Sequence, residues 1–222
     1  LIYIRSFQFI VILSLFIIFT IFVHLRLFFP IDSFIFDNFS YYDPGQFFLY
    51  FFVTISSFGE VVNLIFVAIV FTIIRRTRKM GMILMIAIMT IAISVSYLKP
   101  IVAQPKPPES QKIPVLPKGF QLESDSLLTE ARNFSYPSNH MAIITAFAYI
   151  VENVMRLKTK KYSFLLWILP PMIMFSNLAL GLNYLSDLIG GFLLGLIIAI
   201  ILSRILKLEA PFLMNRFKGV SQ

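Results

Sequence analysis

Six apolar runs, each about as long as a bilayer is thick, constrain this chain more than anything else in it. A hydrocarbon core takes about 20 apolar residues per helix. The runs extend over about Phe7–Phe29, Phe47–Ile74, Met80–Leu98, Ser138–Met155, Tyr162–Leu180 and Ser186–Leu206. Soluble domains stay near half apolar, whereas here 58% of 222 residues are hydrophobic. The fold class is therefore all-α, a six-span transmembrane helical bundle, and residues 1–222 are expected to form a single integral membrane domain. Pro30 is expected to end the first helix, and Lys99 before Pro100 to end the third. Gly181 can close the fifth, and Ser186 can cap the sixth. The chain opens on Leu1, and its first apolar run is too long for a signal-peptide core and has no small-residue cleavage site behind it.

Positive charge alternates between the ends of these runs. Arg75, Arg76, Arg78 and Lys79 join the second and third, and Arg156, Lys158, Lys160 and Lys161 join the fourth and fifth. Arg5 precedes the first; Arg204, Lys207, Arg216 and Lys218 follow the start of the last turn of the sixth. The positive-inside rule makes these ends cytoplasmic, so both termini are expected inside a cell membrane. The connection 30–46 has no Lys or Arg and carries Asp32, Asp37 and Asp43, so it is expected outside, with its Phe and Tyr rings in the interfacial belt. Topology thus accounts for the net charge of +8. Short basic turns make no broad face for nucleic acid, and no nucleic-acid partner is expected. There is no cysteine, hence no disulfide, no thiolate metal site and no cysteine nucleophile.

The outer loop 99–137 is far longer than a usual connection. Pro100, Pro105, Pro107, Pro108, Pro114 and Pro117 favour a stiff extended path in its first half, and residues 122–132 could form a short surface helix. It leads to Pro137-Ser138-Asn139-His140 at the mouth of the fourth apolar run. A helix mouth offers unpaired N–H groups and the positive end of a dipole, which suits an anion. Ser138 can cap it, and His140 can give or take a proton. Lys99 and Lys106 on the loop, Asn177 near the end of the fifth run, Asn183 in the turn and Asp187 opening the sixth all reach the same outer boundary. Polar groups gathered at one membrane depth read as a common anion pocket.

These spacings resemble the type-2 phosphatidic acid phosphatase family, which includes lipid phosphate phosphatases, undecaprenyl-pyrophosphate phosphatases and soluble vanadium haloperoxidases. The family shows KxxxxxxRP, PSGH and SRxxxxxHxxxD. This chain has Lys99 with Lys106-Pro107, then Pro137-Ser138-Asn139-His140, then Ser176-Asn177 with Asn183 and Asp187. The resemblance extends from the second helix onward, and Gly190, Gly191 and Gly195 resemble the family's last helix. It implies a phosphate site facing outward, with His140 protonating the leaving group and Asp187 orienting the nucleophile. Lys99, Lys106 and the Asn177 position would hold the phosphate with Ser138 and Asn139. The nucleophile's position is occupied by Asn183.

That substitution decides the expected chemistry. An amide nitrogen has a delocalised lone pair and does not attack phosphorus as imidazole does. Losing a nucleophile from a working site costs roughly a million-fold. Asn177 lacks the bidentate charged fork of arginine, Lys106 keeps charge without the fork, and Asn139 adds bulk where glycine lets backbone approach an anion. The favoured reading keeps the fold and a lipid-phosphate pocket without turnover, as a binding protein or accessory subunit of a membrane complex. Asn183 could still donate a hydrogen bond to Asp187. The alternative is an active phosphatase of lipid phosphates or isoprenyl pyrophosphates at the outer leaflet, with another nucleophile.

Other polar residues weigh less. His24, the only histidine besides His140, reads as an interfacial residue beside Arg26. Glu60 falls near the middle of the second run, where a carboxylate is costly, and suggests pairing with Asn63 or a transport role. Glu152 and Arg156 stand at i,i+4 spacing. Two histidines and scattered carboxylates show no ligand spacing, so neither a metal nor another cofactor is expected.

Overall fold

The structure, a computed structural model, describes residues 7–41, 45–108, 129–158 and 163–206. The expectations that fall on Arg5, Asp43, Pro114, Pro117, Lys160, Lys161, Lys207, Arg216 and Lys218 lie outside these residues, as does residue 122 to 128 of the expected surface helix. The described residues form α1 (Phe7–His24), α2 (Phe29–Tyr41), α3 (Gly45–Phe58), α4 (Val61–Ile73), α5 (Arg78–Val102), α6 (Asn139–Lys158), α7 (Leu169–Ala179) and α8 (Leu185–Ile205). Short 3-10 helices cover Glu130–Asn133 and Ser163–Ile168. The all-α expectation holds, and helix occupies each of the six apolar runs.

Three helices are individually long and apolar enough to cross a membrane: α1, α5 and α8. The pair α3–α4 makes a fourth span if its two pieces are taken together, and Ser163–Ala179 is a shorter apolar stretch. α6 is the instructive case. It carries Asn139, His140, Thr145, Glu152 and Asn153 yet sits against α5 and α8, and all of these but the half-buried Glu152 are buried in protein. Met141, Ala142, Ile143, Ile144 and Ile150 of α6 join Leu84, Ala87, Ile91, Leu188, Ala199 and Ile200 in one buried core.

Local sequence accounts for several departures from the expected boundaries. α1 stops at His24 rather than at Pro30. Leu27 N–H donates to the Phe22 carbonyl at 3.0 Å and Arg26 N–H to Val23 at 2.8 Å, with Arg26 at φ 57°. This is a Schellman ending with arginine where glycine or asparagine is usual. Pro30 instead lies in the first turn of α2, where a missing N–H breaks no helical bond, so part of the expected connection 30–46 is helix. The second run is broken: α3 and α4 meet at 52° across Gly59 and Glu60. Glu60 is the half-buried extended residue capping α4, not a mid-helix carboxylate, and Asn63 Nδ2 donates to the Ser57 carbonyl at 2.6 Å.

α5 runs through Pro100 to Val102 instead of stopping at Lys99. One proline in the last turn removes a single bond close to the end, and Ala103 then closes the helix at φ 56° with its N–H on the Lys99 carbonyl. The stretch 99–137 therefore begins as helix up to Val102, and Lys99 stays on α5. The fifth run begins as 3-10 helix because Pro170 and Pro171 cannot donate the bonds that would carry an α-helix back across them. It ends at Gly181 (φ 69°) as expected: Leu182 N–H reaches the Asn177 carbonyl at 2.9 Å and Gly181 N–H that of Leu178 at 3.0 Å.

Candidate functional site

The polar residues converge because α8 lets its neighbours come close. A Cβ on Gly195 would strike the Ala142 carbonyl, one on Gly191 the Ser138 carbonyl, and one on Gly190 the Tyr136 ring. Small residues permit this approach of backbones. It sets the first turn of α6 directly beside the first turn of α8. Ser138 N–H donates to the Asp187 carbonyl at 3.0 Å, joining the two helix mouths by backbone.

Two hydrogen-bonded groups are built on this junction. The first is a chain through side chains. Ser56 Oγ of α3 donates to Asn177 Oδ1 at 2.7 Å, Asn177 Nδ2 donates to Asn183 Oδ1 at 3.4 Å, and Ser138 Oγ donates to the same oxygen at 3.3 Å. The Schellman turn at Gly181 holds Asn183 in place between α7 and α8. Ser138 also caps α6, its Oγ lying 3.5 Å from Met141 N. Asn139 and His140 follow it into the buried first turn.

The second group surrounds Asp187, which is fully buried. Its Oδ2 accepts from Tyr184 N–H at 2.8 Å and its Oδ1 from Ser135 Oγ at 3.1 Å. Asp187, rather than Ser186, therefore satisfies the N-terminus of α8. The Asn183–Asp187 bond suggested by the sequence is not formed, because both carboxylate oxygens serve other donors and Asn183 acts as an acceptor. Lys99, 9% exposed on the last turn of α5, lies within electrostatic reach of Asp187. Lys106 is half-buried beside Pro105, whose backbone pairs with Phe134 just before Ser135.

Residues beyond those chosen from the sequence complete the layer. Asp32 of α2 is buried and accepts from Ser186 N–H at 3.0 Å, from Ser186 Oγ and from Gln104 Nε2 at 3.4 Å. Gln104 Nε2 also reaches Ser186 Oγ at 3.1 Å, and the Gln104 carbonyl accepts from Ser135 N–H at 2.9 Å. Burial raises the Asp32 carboxyl above the usual carboxylate range, and the bonds from Ser186 and Gln104 pull it back only in part. Tyr136, linked by its hydroxyl to Thr20 at 2.7 Å, is pushed well above a free phenol by burial, against the Thr20 bond and with the Asp187 charge adding. The signal that could have found Ser56 was a hydroxyl in an otherwise apolar run; Asp32 gave none beyond its charge.

His24 stands apart from the layer. Its ring Nδ1 lies 3.2 Å from the Val102 carbonyl at the end of α5, on an exposed side chain. This fits the interfacial reading of the residue.

Comparison with known proteins follows the same outline. The chain is similar in fold to the crystal structure of a transmembrane PAP2-type phosphatidylglycerolphosphate phosphatase from Bacillus subtilis, with a TM-score of 0.71 over 94% of this chain and 100% of that one. Identity is 17%, so the likeness is one of fold. No curated protein matches the chain in sequence. The family model of the PAP2 superfamily matches residues 78–210, more than half of the chain and the whole path from α5 to α8. The chain belongs to the PAP2 superfamily.

Proposed function

We propose that this PAP2 protein binds a lipid phosphate at the outer end of its helices and turns it over poorly or not at all. One observation carries the reading: Asn183, at the family's nucleophile position, is an acceptor for both Ser138 and Asn177 through Oδ1. Its amide makes no hydrogen bond through Nδ2 among the described residues, so those protons are left for an anion. A phosphate in the mouth of α6 would meet Asn183 Nδ2, the Ser138 hydroxyl, N–H groups around Asn139, and the charge of Lys99, with Lys106 and Asn177 at its edge. His140 would remain as a proton donor, and Asp187 would hold the α6–α8 junction. Nothing in this set attacks phosphorus as imidazole does, and water attack would have to draw on His140, which the same reaction needs as the acid for the leaving group. The protein would then act as a lipid-phosphate binder or as the accessory subunit of a membrane complex. The orientation that follows from the basic turns has both termini in the cytoplasm and the site outside.

A second reading, an active phosphatase of lipid phosphates or isoprenyl pyrophosphates, draws support from Ser138, His140 and Asp187 standing together on two touching helix mouths. Phosphate release from a panel of lipid phosphates and pyrophosphates by purified protein separates the two. The expected result is turnover at the His140→Ala background, with binding of phosphatidic acid lost in Lys99→Ala. Asn183→His together with Asn177→Arg is expected to raise turnover above that background. Robust wild-type turnover abolished by His140→Ala would overturn the non-catalytic reading.

A further inference from the structure

The end of α5 away from the phosphate layer forms a second polar boundary. Arg78 opens this helix and Lys99 stands in its last turn, about 30 Å away at 1.5 Å per residue. That separation is about the thickness of a hydrocarbon core, so the two residues belong to opposite faces of the membrane. Between α4 and α5, at the Arg78 end, lies an open groove of about 710 Å³. Ile69 and Ile73 of α4 and Met82, Met85 and Ile86 of α5 make its apolar walls, and Thr72 and Arg78 supply its polar groups. A Cβ on Gly81 would strike the Thr72 backbone and the Ala68 carbonyl, so the two helices touch through backbone and hold these walls in register.

Two observations give the groove a chemistry. Arg78 is half-buried and tied down rather than extended toward water as a boundary arginine usually is. Its Nε donates to the Thr72 carbonyl at 3.2 Å, which anchors the guanidinium on the α4 wall of the groove. That bond uses one of the five guanidinium N–H groups. The N-terminus of α5 is the second observation. Thr77 turns its hydroxyl to the Phe71 carbonyl at 2.9 Å, and it gives α5 no side-chain cap. A long helix opened in this way favours an anion at its first turn. Arg75 and Arg76, both exposed on the same turn, add positive charge.

An apolar trough that ends in fixed positive charge suits a phospholipid with a net negative headgroup. The phosphate would lie between the Arg78 guanidinium and the first turn of α5. One acyl chain would run from there toward Ile86, about 12 Å along the helix. A free anion makes no use of the trough, and a zwitterionic lipid brings its own cation to the arginines. We propose that the α4–α5 groove is a binding site for an intact anionic phospholipid of the leaflet opposite the phosphate layer. This lipid is a resident ligand and not a substrate, because it lies a membrane thickness from Ser138, His140 and Asp187. The site stands whether or not the phosphate layer binds a lipid.

The test reads lipid at the groove itself, through quenching of a tryptophan by brominated acyl chains. Trp167, the only tryptophan of the chain, is replaced by Phe, and Ile73→Trp sets a reporter on the exposed rim of the groove. The full chain is placed in vesicles of dioleoylphosphatidylcholine with rising fractions of brominated dioleoylphosphatidylglycerol. The expected result is a preference of about tenfold for the anionic lipid at this reporter, the size of one charge-assisted hydrogen bond. A reporter at Ile17→Trp, on the exposed side of α1, is expected to give a ratio near one. Arg78→Gln is expected to bring the groove ratio near one, whereas Arg75→Gln should change it less than about twofold. A ratio near one at the groove, the same ratio at α1, or a ratio that survives Arg78→Gln would overturn the site. So would an Arg75→Gln loss as large as that of Arg78→Gln, which would mean diffuse attraction to the basic turn. Arg78→Gln also gives up the Thr72 bond. Should it fail to fold, Ile69→Phe, which fills the groove and leaves that bond in place, decides: a fall in the ratio supports the site, and an unchanged ratio overturns it.

Discussion

α1 and α8 are equally hydropathic, yet 17% of the apolar stretch of α1 is buried inside the protein against 67% of that of α8. The described residues leave most of α1 uncovered and cover most of α8. What separates them is glycine: Gly190, Gly191 and Gly195 line one side of α8, and α1 has none. Hydropathy therefore finds a span, while small residues decide which span the site is built on. α1 contributes through single polar contacts, Thr20 to Tyr136 and His24 to the Val102 carbonyl.

The contrast is sharpest at Gly195. Gly195→Leu would drive a side chain into the Ala142 backbone, which cannot rotate away, so a loss above the usual 1–3 kcal/mol of overpacking is expected. The measurement is the yield of folded protein and its melting temperature in detergent; a near-native value would show that α6 and α8 need no close approach. Asp187→Ala comes next. It leaves Tyr184 N–H and the Ser135 hydroxyl without their acceptor and takes the cap from α8, for a loss of about 2–4 kcal/mol in the same assay.

Tyr136→Phe removes the hydroxyl that ties α1 to the layer, with an expected cost of about 1 kcal/mol. Thr20→Val in the same background should add little, because the pair shares one bond; additive losses would mean that the two hydroxyls act separately. Smallest of all, Ile17→Leu on the exposed side of α1 is expected to change stability by less than about 0.5 kcal/mol, since lipid is indifferent to the shape of the apolar group it meets. A large loss there would place α1 against a protein surface that the isolated chain does not have.

Much of this was legible in the sequence because it rests on spacing. The interval between Ser138 and Asp187, with Asn177 and Asn183 between, survives folding because Ser138 and Asp187 open α6 and α8, while Asn177 and Asn183 flank the turn that closes α7. Gly181 was readable for the same reason, as a helix terminator with one conformational duty. The missed features are those where a local signal was ambiguous. Pro30 marks an end or a beginning equally well, and here it begins α2. Pro100 marks a stop, but the last turn of α5 absorbs it. Glu60 in a long apolar run looked like a charge inside a helix, and the chain broke the helix there instead. Asp32 carried only the sign of its charge, so nothing in the sequence distinguished it from Asp37. Its contacts with Ser186 and Gln104 span intervals that no helical or strand period encodes.

The polarity of α6 has a consequence for how the protein is made. A helix with a histidine and an asparagine at one end, and a glutamate and an asparagine near the other, has little tendency to leave the translocon for lipid alone. Its closest partner, α8, begins only after the 26 residues that follow Lys158. During that interval the segment that carries Ser138 and His140 depends on α5 for company. Integration is therefore expected to be a group event, in which α6 enters the bilayer together with neighbours already shaped to receive it.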